Sequence, residues 1–312
     1  MRILMEVIPY SALAVDIFSD SKKEKQMNAQ PSMTSIDLAT GTFPQLAPHF
    51  DLRHQTAWCY MRASRRPCFT TALLDDLKGW CSLIERQAEQ LDLKYHVIAS
   101  ATPGVFNLGG DLELFREHVS RGDRRGLLDY ALACIDPLYA NIRRFHQGLT
   151  TISLVQGEAL GGGLETALSS DVLIVERQAR LGFPEVLFNL FPGMGAYQLL
   201  ARKLVPHQAE RLILSGRVYT AEELFDMGLV EVLAEEGEGE AAVYDYIKRE
   251  NRSRNGYRAL RQVRDAANPI TYEALREAVE IWVDAAMRLE QRDLRMMGRL
   301  VSRQYQQSLA AA

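Results

Sequence analysis

The stretch GEALGGGLETAL, residues 157–168, follows the apolar run ISLV and places three consecutive glycines shortly before a glutamate, Glu165. Glycine loses much conformational freedom in regular structure, so three in a row indicate that something approaches the backbone closely. The apolar run predicts a strand, and the residues after the glycines predict a helix. We therefore expect a strand, a glycine turn and a helix, with Glu165 in the first helical turn.

A second glycine turn occurs earlier, where YHVIASATPGVFNLGGD passes from a strand to a helix through Gly109 and Gly110. Each turn offers backbone N–H groups near a helix N-terminus, where the helix dipole favours negative charge. Two such turns on neighbouring strands could direct two donors at one oxygen and form an oxyanion hole. The GxxxxGK[ST] and GxGxxG patterns are absent, so a nucleotide-phosphate loop is not supported. Glycines that only permit tight packing are the alternative for either turn.

The second candidate acid is Glu185, in LGFPEVLF. Its neighbours are almost all apolar, and desolvation there would raise the pKa of its carboxyl group toward the range useful for proton transfer. Glu165 could instead be a surface residue that complements the helix dipole. If both carboxyl groups lie near one oxyanion site, they could divide acid and base work beside a thioester carbonyl.

Composition excludes several classes of function. The chain has 312 residues, 47% of them hydrophobic and 24% charged, with a net charge of −4. Such a chain has no global basic field for nucleic acid or an anionic membrane, and no apolar run is long enough to span a bilayer. The four cysteines and six histidines show no metal-ligand spacing, so we expect no metal site and no disulfides, as in a reducing cytoplasm. Two basic clusters are either solvated faces or docking sites for an acidic partner: Arg62, Arg65 and Arg66, and Arg121, Arg124 and Arg125.

Alternating strand and helix patterns predict an α/β fold with largely parallel pairing. Residues 1–35 are polar and mixed in character, and we expect a loose N-terminal extension there. Residues 36–236 are predicted to form the α/β core and residues 237–312 a helical C-terminal region. The predicted strands are TAWCYMRA, YHVIAS, TISLVQG, DVLIVE and LVEVLA.

The segments FNLGGD, ALGGGLE and FPEVLFNLFPGMG resemble the signature blocks of the crotonase (enoyl-CoA hydratase/isomerase) superfamily, over about residues 50 to 290. The resemblance implies a spiral of ββα units with a helical C-terminal layer, and a homo-trimer or a hexamer. It also implies catalytic roles for Glu165 and Glu185, oxyanion donors at Gly110 and Gly162, and no metal or organic cofactor.

A narrower likeness links VFNLGGDLELF, LLDYALACI, PEVLFNLFPGMGAY and EIWVDAAM to the bacterial diffusible-signal-factor synthases. It implies a medium-chain 3-hydroxyacyl substrate carried on the phosphopantetheine of acyl carrier protein. The acyl group would be dehydrated to the cis-2-enoyl form and released by thioester hydrolysis as a free fatty acid for quorum sensing. A regulatory sensor protein would be a further partner. GGD in place of GAD, Phe188 at a position expected to be small, and Leu199 in place of an arginine all depart from an ordinary hydratase.

Within this interpretation Glu185 is the favoured acid and Glu165 the favoured base. A medium-length acyl chain needs an apolar lining, predicted at Leu187, Met194, Trp282 and Leu289 because the family's C-terminal helices pack near the site. These four residues could equally be ordinary core. Two rival functions stay open: an enoyl-CoA hydratase/isomerase of fatty acid metabolism, and a regulatory binding protein on a crotonase scaffold.

Overall fold

Two β-sheets, a large and a small one, organise the chain. The computed structural model describes residues 43–62 and 66–310, and the predicted N-terminal extension lies outside them. In chain order the strands are β1 (Leu46–Asp51), β2 (Thr56–Met61), β3 (Tyr95–Ser100), β4 (Val105–Asn107), β5 (Thr150–Val155), β6 (Glu158–Leu160), β7 (Val172–Glu176), β8 (Arg180–Gly182), β9 (Val218–Thr220) and β10 (Val232–Ala234).

The large sheet has the strand order β1-β2-β3-β5-β7-β10. All its pairings are parallel except β1 with β2. Every residue of β5 is buried, as expected for a central parallel strand covered on both faces. The predicted α/β class is therefore confirmed, and the predicted strand YHVIAS coincides with β3.

The small sheet, in the order β4-β6-β8-β9, places the two glycine turns. β4 and β6 are parallel neighbours. β4 ends at Asn107, just before Gly109 and Gly110, and β6 ends at Leu160, directly before the three glycines. Because parallel neighbours end at the same edge of a sheet, the two turns emerge side by side.

The helices follow the sequence pattern with several interruptions. In chain order they are α1 (Thr71–Gln87), α2 (Leu112–Arg121), α3 (Arg124–Ile142), α4 (Gly162–Leu168), α5 (Ala196–Leu200), α6 (Pro206–Leu214), α7 (Ala221–Asp226), α8 (Gly239–Asn251), α9 (Arg254–Ala267), α10 (Tyr272–Ala286) and α11 (Gln291–Ala310). The sequence predicts one helix up to Gln147, but α3 ends at Ile142 and a short 3-10 turn follows, in which Phe145 has a φ of 53°. Thr220 and Glu223 form a capping box at the start of α7.

Helices cover both faces of the large sheet. Val243, Tyr246 and Ile247 of α8 pack against strand residues such as Val97 and Ile152 on one face. The main hydrophobic core, which includes residues of α1, α3 and α10, lies on the other. Within the described part of the chain, no helix is both long and apolar enough to cross a membrane.

Candidate active site

The two glycine turns pack against each other so closely that side chains are excluded. A Cβ on Gly109, whose φ is +84°, would lie 2.9 Å from the Gly162 nitrogen. A Cβ on Gly162 would lie 2.7 Å from the Met194 sulfur, and one on Gly110 would lie 2.4 Å from the ring of Phe115. The predicted oxyanion residues Gly110 and Gly162 thus lie on adjacent turns, and both line one cavity.

The turn that contains Gly110 is held by Asp111, the N-cap of α2. Its side chain accepts hydrogen bonds from the backbone N–H groups of Glu113 and Leu114. Arg66 donates to both of its carboxylate oxygens, at 2.7 and 2.6 Å. The Asp111 N–H donates to the Tyr130 hydroxyl at 3.0 Å. These contacts fix the direction of the backbone immediately after Gly110.

Tyr130 ties the same turn to the preceding chain segment. Its hydroxyl donates to the Phe69 carbonyl oxygen at 2.5 Å, and the Phe69 N–H donates to the Gly109 carbonyl oxygen at 2.8 Å. Neither Tyr130 nor Arg66 was predicted as part of the site. Tyr130 lies in LLDYALACI and Arg66 in the first basic cluster, but neither segment identifies its partners, which lie many residues away in the sequence.

The arginines of the first predicted basic cluster do not share one set of contacts. Arg66 binds Asp111 beside the site, whereas Arg62 donates to the Pro44 carbonyl oxygen, and Arg65 lies outside the described residues. In the second cluster each arginine has a carboxylate partner, in the ion pairs Arg121–Glu117, Arg124–Asp284 and Arg125–Asp129. This pairing favours a solvated face for the second cluster.

Glu165 lies in the first turn of α4 and is only 1% exposed. Its Oε1 accepts hydrogen bonds from the backbone N–H groups of Met194 (2.7 Å) and Ala196 (2.9 Å). Burial, and then the nearby Glu185 carboxylate, raise the pKa of Glu165 well above its usual range, and the two backbone hydrogen bonds partly oppose this. The position is incompatible with the alternative of a dipole-complementing surface residue.

Glu185 begins a 3-10 turn, Glu185–Phe188, and is half-buried. Its Oε1 occupies the space that a Cβ on Gly161 would need, at 2.2 Å, and Gly161 has a φ of +53°. Its Oε2 is buried without a hydrogen-bond partner. Burial raises the pKa of Glu185 to about 8, as its apolar neighbours in the sequence predict.

The two carboxyl groups therefore titrate as a pair. Both are desolvated and both line the same cavity, so ionising both at once is unfavourable. Two N–H donors stabilise the charged form of Glu165, whereas Oε2 of Glu185 has none. The hydrogen bonds therefore favour the charged form of Glu165, whereas its burial and the Glu185 carboxylate oppose that form.

The cavity, here called the main cavity, encloses about 1060 Å³ of empty space including its open mouth. Most of the surface that lines it is apolar. Its lining residues are Leu108, Gly110, Leu112, Phe115, Tyr130, Ala131, Cys134, Leu160, Gly162, Glu165, Pro184, Glu185, Leu187, Phe188, Gly193, Met194, Gly216, Val218, Trp282 and Leu300. A deep apolar cavity with a few convergent polar groups is the usual form of a small-molecule site.

Three of the four predicted acyl-lining residues, Leu187, Met194 and Trp282, line the main cavity, but Leu289 does not. Leu289 follows the end of α10, in the connection to α11, and packs against the main hydrophobic core. The sequence predicts one continuous helix through this region, and the break before Gln291 redirects the chain. Leu300 of α11 reaches the cavity instead.

Among residues 43–62 and 66–310, no cluster of three or more His, Cys, Asp or Glu side chains could hold a metal ion. The polar groups of the main cavity include two carboxyl groups, and the two glycine turns also line it; carboxyl groups and backbone N–H groups together suit proton transfer beside a polarised carbonyl group.

Comparisons with known proteins agree with this geometry. A family model described as "Enoyl-CoA hydratase/isomerase" matches residues 66–300. The peroxisomal bifunctional enzyme of Cavia porcellus is 29% identical over 198 residues, which is 64% of this chain and 25% of that protein. The mitochondrial methylglutaconyl-CoA hydratase of Homo sapiens is 35% identical over 147 residues, 47% of this chain and 41% of that protein. The chain therefore matches less than half the length of either relative.

Solved structures show the same fold. An enoyl-CoA hydratase from Bacillus halodurans superposes with a TM-score of 0.67 at 19% identity, covering 82% of this chain and 99% of that one. Pseudomonas aeruginosa DspI superposes with a TM-score of 0.58 at 26% identity, covering 77% of this chain and 94% of that one. The predicted fold class is confirmed by these likenesses.

Proposed function

Because this chain belongs to the enoyl-CoA hydratase/isomerase family, we propose that it acts on an acyl thioester as a dehydratase and thioesterase. The substrate is a medium-chain 3-hydroxyacyl group on acyl carrier protein, and the product is a free cis-2-unsaturated fatty acid, a diffusible signal for quorum sensing. The observation that carries the proposal is that the carboxyl groups of buried Glu165 and half-buried Glu185 share one largely apolar cavity with Gly110 and Gly162.

In the first step the substrate loses water. The backbone N–H groups of Gly110 and Gly162 would donate to the thioester oxygen as enolate character develops. The Glu165 carboxylate takes the C2 proton, the C3–O bond breaks, and Glu185 protonates the departing hydroxyl group to give water and the C2=C3 double bond. The raised pKa of Glu185, about 8, keeps its carboxyl group protonated at neutral pH for this role.

In the second step water cleaves the thioester. Glu165 now carries a proton and Glu185 is ionised, so Glu185 takes a proton from the water that attacks C1. The same N–H groups would stabilise the tetrahedral intermediate. Glu165 then gives its proton to the departing thiolate, which releases the free acid and restores both carboxyl groups to their starting state.

The test compares one 3-hydroxyacyl group carried on acyl carrier protein and on CoA, with mass spectrometry of all products. We expect the carrier-protein thioester to yield the free unsaturated acid. Turnover of the CoA thioester alone, with the thioester bond kept, would contradict the proposal and identify an enoyl-CoA hydratase. That second candidate is favoured by the relatives, several of which are named as CoA hydratases.

The proposal includes a second copy of the chain as a partner, in a homo-trimer or hexamer. α9 is inverted relative to an ordinary surface helix, because apolar residues and not polar ones lie on its outward face. These residues are Leu260 (70% exposed) and Val263 (64% exposed). The inward face of α9 carries Arg261, which binds Glu250 at 2.6 Å. A helix that directs leucine and valine outward is stabilised by covering that face, and an identical subunit is the partner we propose.

The remaining partners follow from the proposed substrate. Acyl carrier protein delivers the thioester, and a sensor protein would hold the enzyme in check. A cytoplasmic location is part of the proposal.

A further inference from the structure

Two of the helices that line the main cavity, α2 and α11, also carry exposed arginines. Leu112 and Phe115 of α2 and Leu300 of α11 line the cavity. Arg116 and Arg299, which are sequence neighbours of Phe115 and Leu300, are exposed. The two helices pack against each other. Positive charge therefore lies on the solvent side of the same helices that contribute to the proposed substrate cavity.

Three of these arginines form one surface, here called the α11 patch: Arg116, Arg295 and Arg299. Arg295 and Arg299 are four residues apart on α11, so they lie on one face of that helix. Arg116 reaches α11 from α2, because its Nη1 lies 3.2 Å from the position that a Cβ on Gly298 would take. Gly298 is three residues from Arg295, so the guanidinium group of Arg116 lies beside that face.

The charge of the α11 patch is not compensated. Within residues 43–62 and 66–310, none of its three arginines has a carboxylate partner. Other arginines on α2 and α11 do have one, in the ion pairs Arg121–Glu117 and Arg292–Glu290. A local positive field of this kind attracts a carboxylate-rich surface. The net charge of −4 on the whole chain opposes a large polyanion such as nucleic acid or an anionic membrane.

The α11 patch also includes an apolar side chain. Met296 is 36% exposed and lies three residues before Arg299, on the same side of α11. Methionine and arginine are enriched in protein–protein interfaces relative to the rest of the protein surface. The composition of the patch is therefore that of a surface that docks another protein.

We propose that the α11 patch docks an acidic face of the carrier protein that delivers the acyl thioester. This inference rests on the proposed function, because it takes the partner to be a carrier protein. A carrier bound there lies against helices that line the main cavity, which holds its thioester near the two glutamates. Because the attraction is between exposed charges, it weakens as salt is added.

The double variant Arg295→Glu/Arg299→Glu reverses charge on the α11 patch, and Arg86→Glu/Arg211→Glu is the matched control. Arg86 of α1 and Arg211 of α6 are likewise exposed helical arginines with no ion pair in the described part of the chain. Fluorescence anisotropy measures binding of apo-acyl carrier protein, which lacks the phosphopantetheine arm, at low and at high salt. The apo form separates the protein surface from the phosphate of the arm. Formation of free acid from the 3-hydroxyacyl carrier-protein thioester is measured in parallel.

We expect the patch variant to bind apo-acyl carrier protein on the order of tenfold more weakly than the wild type at low salt, with the difference reduced at high salt. The control variant binds like the wild type. The neutralising variant Arg116→Gln/Arg295→Gln lowers the affinity in the same direction, and it serves as the test if the charge reversal unfolds α11.

An equal loss in the patch and control variants, or no loss in the patch variants, overturns the inference, as does failure of the wild type to bind the carrier at low salt. Binding of only the armed carrier and of CoA also overturns it, because the surface would then recognise phosphate. A lower mass of the patch variant in sedimentation equilibrium overturns it as well, since a second subunit would then cover the patch. Absence of free acid from the wild type, with patch-dependent binding present, would instead overturn the proposed function.

Discussion

At the scale of single residues, the two glutamates show how far sequence can specify a site. Glycines before Glu165 and apolar neighbours around Glu185 predict two unusual carboxyl groups, and the structure places both at one cavity, Glu165 buried and Glu185 half-buried. What the sequence could not give is their local hydrogen bonding. Glu165 is held by N–H groups of Met194 and Ala196, about thirty residues away in the chain, and only the packed loop brings them together.

The raised pKa of Glu185 predicts a pH-dependent stability. The ordinary value is 4.5 and the folded-state value about 8. Between pH 4.5 and pH 8, Glu185 is ionised in the unfolded chain but still protonated in the folded chain. The free energy of unfolding is therefore highest below about pH 4.5 and falls as the pH rises toward 8. Glutamine does not ionise, so the Glu185→Gln variant does not show this fall in the free energy of unfolding. We expect its free energy of unfolding in urea to exceed that of the wild type by on the order of 3 kcal/mol near pH 8.5, and to match it near pH 4.5.

The control is Glu117→Gln, at an exposed residue of an ion pair on α2, which should change stability little at either pH. An equal effect of Glu185→Gln at both values would show that the carboxyl group of Glu185 stays ionised in the folded protein.

At the scale of secondary-structure elements, most long strands are predictable and most three-residue strands are not, although β1 was missed and the short β10 falls within the predicted strand LVEVLA. β3, β5 and β7 read as apolar runs bounded by polar residues, and the structure places them there. The three-residue strands β4, β6, β8 and β9 show no alternation long enough to detect. Yet these strands form the small sheet, and the pairing of β4 with β6 brings the glycine turns together.

The junction of β4 and α2 depends on Asp111. Asp111→Ala removes the N-cap of α2 and the bidentate partner of Arg66. We expect a loss on the order of 3 kcal/mol in the free energy of unfolding, and a fall in kcat because the Gly110 amide loses its orientation. Asp129→Ala, which breaks an exposed ion pair with Arg125 on α3, should cost less than about 1 kcal/mol. Full activity and stability in Asp111→Ala would show that the turn is held by other contacts.

At the scale of the whole molecule, composition and alternation predict the α/β body and the C-terminal helices. The interruptions that divide the C-terminal run into α8, α9, α10 and α11 were missed, because arginine-rich amphipathic segments continue across them. One result of these breaks is the inversion of α9, in which arginines face the protein and apolar residues face outward.

This inversion predicts that charge on the outer face of α9 disrupts assembly. Leu260→Glu should give a monomer in sedimentation equilibrium, where the wild type gives a trimer or hexamer, because an ionised carboxylate would be buried in the interface. Leu214→Glu, at a leucine of similar exposure (64%) on α6, is the control and should keep the wild-type mass. A wild-type monomer would contradict the proposed assembly.

The central claim is that the Glu165–Glu185 pair transfers protons at C2 and C3 of an acyl thioester. The most direct measurement is single-turnover mass spectrometry of a 3-hydroxyacyl carrier-protein thioester, with wild-type protein and the folded variants Glu165→Gln and Glu185→Gln. We predict dehydration and release of the free acid by the wild type, and a loss of at least about a hundredfold in rate in each variant. Near-normal dehydration by either variant would contradict the account.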